Sequence, residues 1–298
     1  MSKPPRLTLP EHAVARLLET SRGRFAVHEA VPPSGGKGVA LLVPGFTGSK
    51  EDFIGLLEPL VAAGYHVVAV DGRGQHETPG PDDEAGYAQE ELARDVIAQA
   101  EALGAAEQPV HLLGHSFGGL VSRAAVIGAP GLFRSLTLMS SGPAAIAEDQ
   151  QERTKLLVAG LELMGDDMEA VWQAMRAHDP EDALHESPEL ADFLHRRWLA
   201  TSRWQLMATG RQLIAESDRV AELAEAAPEL PKLVLSGEVD YAWPVPRMDD
   251  MARRLGARRA VVPGTEHSPN AEDPATTARE LVAFWDTAAS ADAAPVRA

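Results

Sequence analysis

Short, continuous apolar runs alternate with amphipathic stretches through the first half of the chain. The apolar runs are Gly38–Val43, His66–Val70, Val110–Leu113 and Leu136–Met139, with glycine and proline residues close to their ends. Runs of this length and composition are typical of strands that are buried on both faces of a parallel sheet. The pattern therefore predicts four central strands.

The segments between these runs have helical periodicity. Asp52–Ala63 and Gln89–Leu103 place their apolar side chains three or four positions apart, which is the spacing of one buried helix face. Strands that alternate with helices in this way predict βαβ units with right-handed crossovers.

The pattern changes near residue 145, because no strand-like run occurs from about Ala147 to Ala227. This stretch is charged, carries Met and Trp residues, and has a helical period. It predicts four helices, at Glu152–Met164, Met168–Ala177, Glu189–Leu199 and Arg203–Glu216.

Strand-like sequence returns at Lys232–Ser236 and Arg259–Val262, and a last predicted helix covers Pro274–Ala288. The residues from Ala289 to Ala298 resemble a frayed tail. The layout predicts an α/β fold with a mostly parallel sheet. Residues 1–146 and 228–298 would form its core, and residues 147–227 a helical insertion.

The composition excludes several classes of protein. The chain has 298 residues, of which 45% are hydrophobic and 24% charged, as in folded globular proteins. It has no cysteine, which excludes disulfides, thiolate metal sites and a cysteine nucleophile. Its net charge of −17 disfavours binding to nucleic acids and anionic membranes. Without a signal-like or membrane-length apolar run, we expect a soluble, cytoplasmic protein.

The sharpest local signal is G-x-S-x-G at Gly114-His115-Ser116-Phe117-Gly118. An apolar strand precedes Ser116, and the helix-compatible stretch Leu120–Ile127 follows it. A sharp strand-to-helix turn exposes such a serine, and its small neighbours allow the backbone to approach closely. The alternative is that the glycines only make a tight turn.

These segments resemble the α/β-hydrolase superfamily, in particular serine esterases and lipases with a helical cap. Leu235–Pro244 resembles the acid segment of that superfamily, and Gly264–Pro274 resembles its histidine segment. Pro44–Thr47 stands where the superfamily carries a His-Gly oxyanion loop, with Pro44 replacing the histidine, and Asp71–Gly74 resembles its D-x-R-G stretch. The resemblance covers roughly residues 25–145 and 230–288.

The resemblance implies a catalytic triad of Ser116, His267 and Asp240, in the chain order Ser, Asp, His. A serine hydroxyl needs a base at neutral pH, a histidine suits that role, and a buried carboxylate would hold it in one tautomer. The oxyanion would bind the backbone N–H of Phe117 and, by resemblance, that of Phe46.

Each assignment has an alternative. Asp240 could cap a helix that begins near Pro244, and Glu238 competes for the role of the acid. His267 could lie on a surface loop, and Phe46 could simply pack.

The histidines do not predict a metal site, and we expect no cofactor. His111 and His115 are four residues apart, but on a strand and a turn they would not share a helical face. Three further histidines lie in the insertion without a regular metal-ligand spacing: His178, His185 and His195.

In this fold the insertion would cover the carboxyl edge of the sheet as a lid over the ligand crevice. Trp172 and Trp204 are its candidate substrate contacts. The wider set of candidates comprises Leu163, Met164, Met168, Met175, Trp198, Met207 and Leu213.

The leading hypothesis is a serine hydrolase that cleaves a small to medium, apolar, uncharged carboxylic ester through an acyl-enzyme on Ser116. Its partner would be that small-molecule ester, and the protein would be a monomer or homodimer. The insertion holds 17 acidic and 8 basic residues, a net charge of −9, which disfavours polyanionic substrates such as acyl-CoA compounds. A dinucleotide-dependent oxidoreductase is disfavoured because no G-x-G-x-x-G follows the first predicted strand.

Alternative chemistries stay open. The same triad serves thioesterases, lactonases, aminopeptidases, carbon–carbon hydrolases and cofactor-free peroxidases, and a ligand-binding pseudoenzyme would use the same pocket. Ser116 at the elbow excludes relatives that use an aspartate nucleophile there.

Overall fold

The structure is a computed structural model that describes residues 2–177 and 186–291. Within this part, eight strands form one sheet in the spatial order β1-β2-β4-β3-β5-β6-β7-β8. The strands are β1 (Ala13–Thr20), β2 (Gly23–Ala30), β3 (Gly38–Val43), β4 (Tyr65–Val70), β5 (Val110–His115), β6 (Phe133–Met139), β7 (Lys232–Gly237) and β8 (Arg258–Val262). All six predicted strands lie in this sheet and run parallel to one another, which confirms the predicted fold class.

The antiparallel strands β1 and β2 at one edge were not predicted from the sequence. β1 pairs only with β2, and most of its side chains are exposed, including Val14 and Leu17. An edge strand that is exposed on both faces needs no continuous apolar run, so it lacks the signal that identified the buried strands.

Eleven α-helices lie in the same part of the chain, and the predicted helices, with the helix-compatible stretch Leu120–Ile127, correspond to eight of them within a few residues. The helices are α1 (Ile54–Ala62), α2 (Gln89–Ala102), α3 (Phe117–Gly128), α4 (Glu148–Met164), α5 (Met168–Arg176), α6 (Pro188–Ala200), α7 (Arg203–Ala215), α8 (Val220–Ala226), α9 (Val245–Leu255), α10 (Pro269–Glu272) and α11 (Pro274–Ala291). None of them is both long enough and apolar enough to cross a membrane.

Helices cover both faces of the sheet because its central strands are apolar on both sides. Leu41 and Leu42 are neighbours in β3, and their side chains enter different apolar clusters on opposite faces. α1 and α11 cover the face that carries Leu42, whereas α2, α3, α8 and α9 cover the face that carries Leu41. Each central strand is therefore sandwiched between two helical layers.

The helices α4 to α8 lie between β6 and β7, within the predicted insertion 147–227. α4 to α7 share an apolar cluster that includes Trp172, Phe193 and Trp198, whereas α8 packs into the cluster on the Leu41 face of the sheet. α11 continues three residues beyond the predicted helix end, to Ala291. Of the residues discussed from the sequence, His178, His185 and the tail residues 292–298 lie outside the described part.

The parallel arrangement determines where polar loops can meet. The connections that follow β3, β5, β7 and β8 all leave the sheet at its carboxyl edge. Ligands of open α/β sheets bind outside this edge.

Candidate active site

Ser116 occupies the tight turn between β5 and α3. Its backbone has φ 55° and ψ −122°, in the left-handed half of the map that an L-residue adopts at a cost of about 1–3 kcal/mol. Its N–H donates to the carbonyl of Met139 at 2.9 Å, so the turn is tied to β6.

The glycines of the motif are required by close backbone packing. A Cβ on Gly114 would lie 2.3 Å from the carbonyl oxygen of Gly118, and a Cβ on Gly118 would lie 2.4 Å from that of Pro44. A real Cβ cannot approach a backbone oxygen that closely. The turn therefore places Ser116 directly beside the loop that follows β3.

His267 connects Ser116 with Asp240 across the carboxyl edge. Its Nε2 atom lies 3.0 Å from Oγ of Ser116, and its Nδ1 atom lies 2.9 Å from Oδ2 of Asp240. The Asp240 carboxylate is fully buried, and His267 is largely buried. The structure thus brings together three side chains that are 27 to 151 residues apart in sequence.

The two carboxylates of the acid segment, Asp240 and Glu238, have different surroundings. Oδ1 of Asp240 accepts the amides of Ala242 and Trp243 at 2.8 and 2.9 Å, whereas the N-cap residue of α9 is Pro244. Glu238 is exposed, and its Oε2 atom accepts the amide of Gly264 at 2.9 Å. Asp240 therefore shapes the turn before α9 with one oxygen and reaches His267 with the other.

His115 holds the backbone of His267. Its Nε2 atom lies 2.8 Å from the carbonyl oxygen of His267, and because a carbonyl can only accept, Nε2 carries the hydrogen. Burial lowers the pKa of His115 to about 3, so its ring is neutral at physiological pH. We did not assign His115 to the site from the sequence, and the one available signal was its position immediately before Ser116.

The loop after β3 lies against Ser116. A Cβ on Gly45 would stand 3.0 Å from Cβ of Ser116, so the loop backbone passes directly over the serine. Gln75 secures the loop by donating to the carbonyl of Gly45 at 2.7 Å. Gln205 of α7 donates to the carbonyl of Phe46 at 3.4 Å.

The two backbone amides expected at an oxyanion site lie at the start of α3 and in the loop after β3. Phe117 is the first residue of α3, where a helix has no internal acceptor for its N–H groups. Among the described residues, neither the Phe117 amide nor the Phe46 amide donates a hydrogen bond. The Phe46 ring packs against the apolar clusters, so the packing alternative also holds for this residue.

A cavity of about 310 Å³ opens beside Ser116 and His267. Part of its wall comes from α4, α5 and α7, so the segment 147–227 contributes to it. Its apolar wall includes Phe46, Ile146, Leu157, Met175, Leu213 and Ala242.

Trp172 and Trp204 do not line this cavity, contrary to the expectation from sequence. Trp172 is buried against Trp198, with ring centroids 6.1 Å apart. The guanidinium of Arg203 lies 4.2 Å from the Trp204 ring centroid. Large indole rings pack between helices here. Of the nine residues considered from sequence, the described cavity wall contains Met175 and Leu213.

Asp52 is a charged residue of the cavity wall that the sequence did not single out. Its carboxylate is fully buried and lies 2.7 Å from Nη1 of Arg197 on α6. The backbone carbonyl of Asp52 accepts the side-chain amide of Asn270 at 2.8 Å. Asp52 thus links the segment 147–227 to α10, which follows His267.

A second buried charge cluster, which combines two carboxylates with a histidine, lies near the amino end of α1. Ligand atoms of Glu51, Asp71 and His76 lie within 4.8 Å of one another. The Lys50 ammonium contacts Glu51 at 2.9 Å and Asp71 at 3.0 Å, and so supplies a positive charge to the same carboxylates. The histidine spacing used in the sequence analysis could not reveal this cluster, because two of its members are carboxylates.

A family model described as the alpha/beta hydrolase family matches residues 40–280. The chain belongs to the alpha/beta hydrolase family. This membership confirms the superfamily resemblance found in the sequence.

Two curated relatives are named as hydrolases, one of a carbamate and one of a methyl ester. The putative carbamate hydrolase RutD of Variovorax paradoxus is 37% identical over 114 residues, which are 38% of this chain and 41% of the relative. The pimeloyl-[acyl-carrier protein] methyl ester esterase of Aeromonas hydrophila is 27% identical over 226 residues, which are 72% of this chain and 83% of the relative. The chain thus spans less than half the length of the first relative.

A thermophilic esterase from Thermogutta terrifontis has a similar solved structure, with a TM-score of 0.72 and 21% identity. The match covers 93% of this chain and 99% of that protein. At this identity the likeness concerns the fold alone.

Proposed function

We propose that the protein is a serine hydrolase that cleaves carboxylic esters through an acyl-enzyme on Ser116. The observation that carries the proposal is the hydrogen-bonded series Ser116–His267–Asp240, with distances of 3.0 and 2.9 Å, at the wall of a cavity. The names of the two curated relatives support it, since both describe hydrolysis at a carbonyl carbon.

In the first half-reaction, Oγ of Ser116 attacks the ester carbonyl carbon while Nε2 of His267 accepts the serine proton. The amides of Phe46 and Phe117 donate to the oxyanion. The tetrahedral intermediate collapses, the C–O bond to the alcohol breaks, and His267 returns the proton to the leaving oxygen. Asp240 keeps His267 in the tautomer that accepts at Nε2 and stabilises the imidazolium.

In the second half-reaction, water replaces the alcohol. His267 takes a proton from the water, the resulting hydroxide attacks the acyl carbon, and Ser116 leaves with the proton from His267. The products are one alcohol and one carboxylic acid. None of these reaction steps needs a cofactor.

The cavity supports a small to medium ester with an apolar, uncharged acyl group. Its volume of about 310 Å³ is at the lower end of the range for small-molecule sites. Ile146, Leu157, Met175 and Leu213 provide the apolar contacts. Residues 147–227 serve as the cap of the core formed by residues 1–146 and 228–298.

A fluorophosphonate probe tests the nucleophile. We expect covalent labelling of the wild-type protein on the peptide that contains Ser116, identified by mass spectrometry. Ser116→Ala should remove the labelling and reduce ester hydrolysis at least about a thousandfold. The control is Ser217→Ala, at an exposed serine outside the cavity, which should label like the wild type. A folded wild-type protein that does not label at Ser116, or full activity of Ser116→Ala, would overturn the proposal.

A panel of esters of graded acyl length, with matched thioesters, lactones and aminoacyl amides, tests the reaction class. Hydrolysis of the esters in preference to the other compounds is the expected result. If the protein instead prefers thioesters, lactones or aminoacyl amides at every acyl length, the same triad would be assigned to that reaction.

A further inference from the structure

The wall of the cavity beside Ser116 carries one positive charge that no protein group neutralises. Its acidic and basic side chains, apart from the histidines, are Asp52 and Arg153. Asp52 is paired with Arg197 at 2.7 Å. Among the described residues, Arg153 has neither an ion pair nor a hydrogen-bond partner.

The position of Arg153 follows from the geometry of α4. The cavity-lining residues of this helix are Gln150, Arg153, Thr154 and Leu157, at relative positions i, i+3, i+4 and i+7. This spacing defines one face of an α-helix. Arg153 therefore lies on the helix face that borders the cavity, and its side chain is accessible to solvent there.

Carboxylates are abundant in this segment, and among its described arginines Arg153 and Arg196 have neither an ion pair nor a hydrogen bond. Of these two, Arg153 lines the cavity and Arg196 does not. Nearby arginines have partners, such as Arg203 with Asp166 at 2.9 Å and Arg211 with Glu84 at 3.0 Å. On α4 itself, Glu152 pairs with Lys155 at 2.7 Å. A protein with 44 acidic and 27 basic residues thus leaves a guanidinium unpaired at the wall of its cavity.

We propose that Arg153 binds a carboxylate that the substrate carries in addition to its ester group. The inference rests on the proposed ester hydrolase and specifies its substrate class. A guanidinium matches a carboxylate in a two-pronged hydrogen-bonded pair. One guanidinium balances one negative charge, and the net charge of −9 in residues 147–227 disfavours polyanions.

This inference replaces the expectation of an uncharged substrate, which rested on the net charge of −9 in residues 147–227. The field of distant surface charges is screened over about 8–10 Å at physiological ionic strength, whereas Arg153 borders the cavity itself. The acyl group in the apolar part of the cavity remains uncharged.

The test compares two esters of equal length, one ending in a carboxylate and the other in the corresponding primary amide. We expect the wild type to favour the carboxylate ester by about tenfold in kcat/KM, mainly through KM. Arg153→Gln should bring this ratio close to one, and Arg153→Glu should reverse it. Raising the salt concentration should reduce the wild-type ratio.

Arg196→Gln is the matched control. Arg196 is an exposed arginine of α6 that lies outside the cavity wall, and its replacement removes the same charge from the same segment. It should keep the wild-type ratio. A wild-type ratio of one or less, or an equal fall in Arg153→Gln and Arg196→Gln, would overturn the inference.

Calorimetric titration of both esters into Ser116→Ala separates this inference from the proposed function. Ser116→Ala should bind the carboxylate ester more tightly than the amide ester, and adding Arg153→Gln should abolish this difference. That result supports the role of Arg153 without requiring turnover. If the wild type hydrolyses neutral esters but shows no carboxylate preference, the proposed function stands and the inference fails. If Arg153-dependent binding occurs without any turnover or fluorophosphonate labelling, the proposed function fails.

Discussion

The carboxylate of Asp240 divides its two oxygens between a turn and a histidine. Oδ2 lies 2.9 Å from Nδ1 of His267, while Oδ1 accepts two backbone amides of the segment that leads into α9. These two hydrogen bonds hold the carboxylate in place. The Asp240 side chain is therefore kept beside His267 by the turn as well as by its own rotamer preference.

Asp240→Asn should therefore preserve the turn and impair catalysis. The amide oxygen can still accept the backbone N–H groups, but the uncharged side chain no longer stabilises the imidazolium of His267. We expect kcat to fall by about ten-thousandfold, with unchanged circular dichroism. Glu238→Gln is the control and should keep nearly full activity. The reverse ranking of these two variants would assign the acid role to Glu238.

Gly118→Ala should damage the contact between the elbow and the loop after β3. The added Cβ would meet the backbone oxygens of Pro44 and Val43 at 2.4 and 2.5 Å, so one of the two segments must move. We expect a loss of about 1–3 kcal/mol in the free energy of unfolding, together with slower turnover. Gly131→Ala, where nothing lies within 4 Å of the new Cβ, should change neither quantity. Equal stability of both variants in urea titrations would contradict the prediction.

The buried pair Arg197–Asp52 should be important for stability. Arg197→Leu leaves the Asp52 carboxylate buried without its counter-charge, which typically costs about 3–5 kcal/mol. Adding Asp52→Asn should recover part of this loss, because no unpaired charge then remains. The four proteins of this double-mutant cycle can be compared by urea denaturation. Additive losses in the double variant would show that the two groups are not coupled.

Stability should fall as the pH drops below about 6.5, because three buried histidines are uncharged in the folded protein. Burial lowers the pKa of His28 to about 4 and the pKa values of His111 and His115 to about 3. The unfolded chain binds these protons near pH 6.5, so protonation favours unfolding down to the folded-state pKa values. Each histidine contributes up to about 1.4 kcal/mol per pH unit.

His111→Phe tests this pH dependence away from the candidate active site. The ring at this position stacks on Trp285, with centroids 5.2 Å apart, and phenylalanine keeps a ring that does not titrate. The free energy of unfolding of the variant should decline less steeply between pH 6.5 and 4 than that of the wild type. Parallel curves would show that His111 does not contribute.

The sequence by itself determined the features that depend on neighbouring residues. The apolar runs identify β3 to β7, because a strand that is buried on both faces must be apolar throughout. The edge strand β8 alternates buried and exposed residues and is identified by the short run Ala260–Val262. The turn around Ser116 can likewise be recognised from local sequence, since a strand, a turn and a helix of the required composition follow one another directly. The order of the serine, aspartate and histidine segments then indicated the superfamily.

Only the tertiary structure decided which side chains meet. The helical period predicts α4 and α5, but it does not reveal which face borders the cavity, and so Trp172 was selected in place of Leu157 and Arg153. The pairing of Asp52 with Arg197 spans 145 residues, and no local pattern encodes it. Local composition fixes whether a segment is a strand or a helix, whereas contacts between distant segments depend on how all the elements pack together.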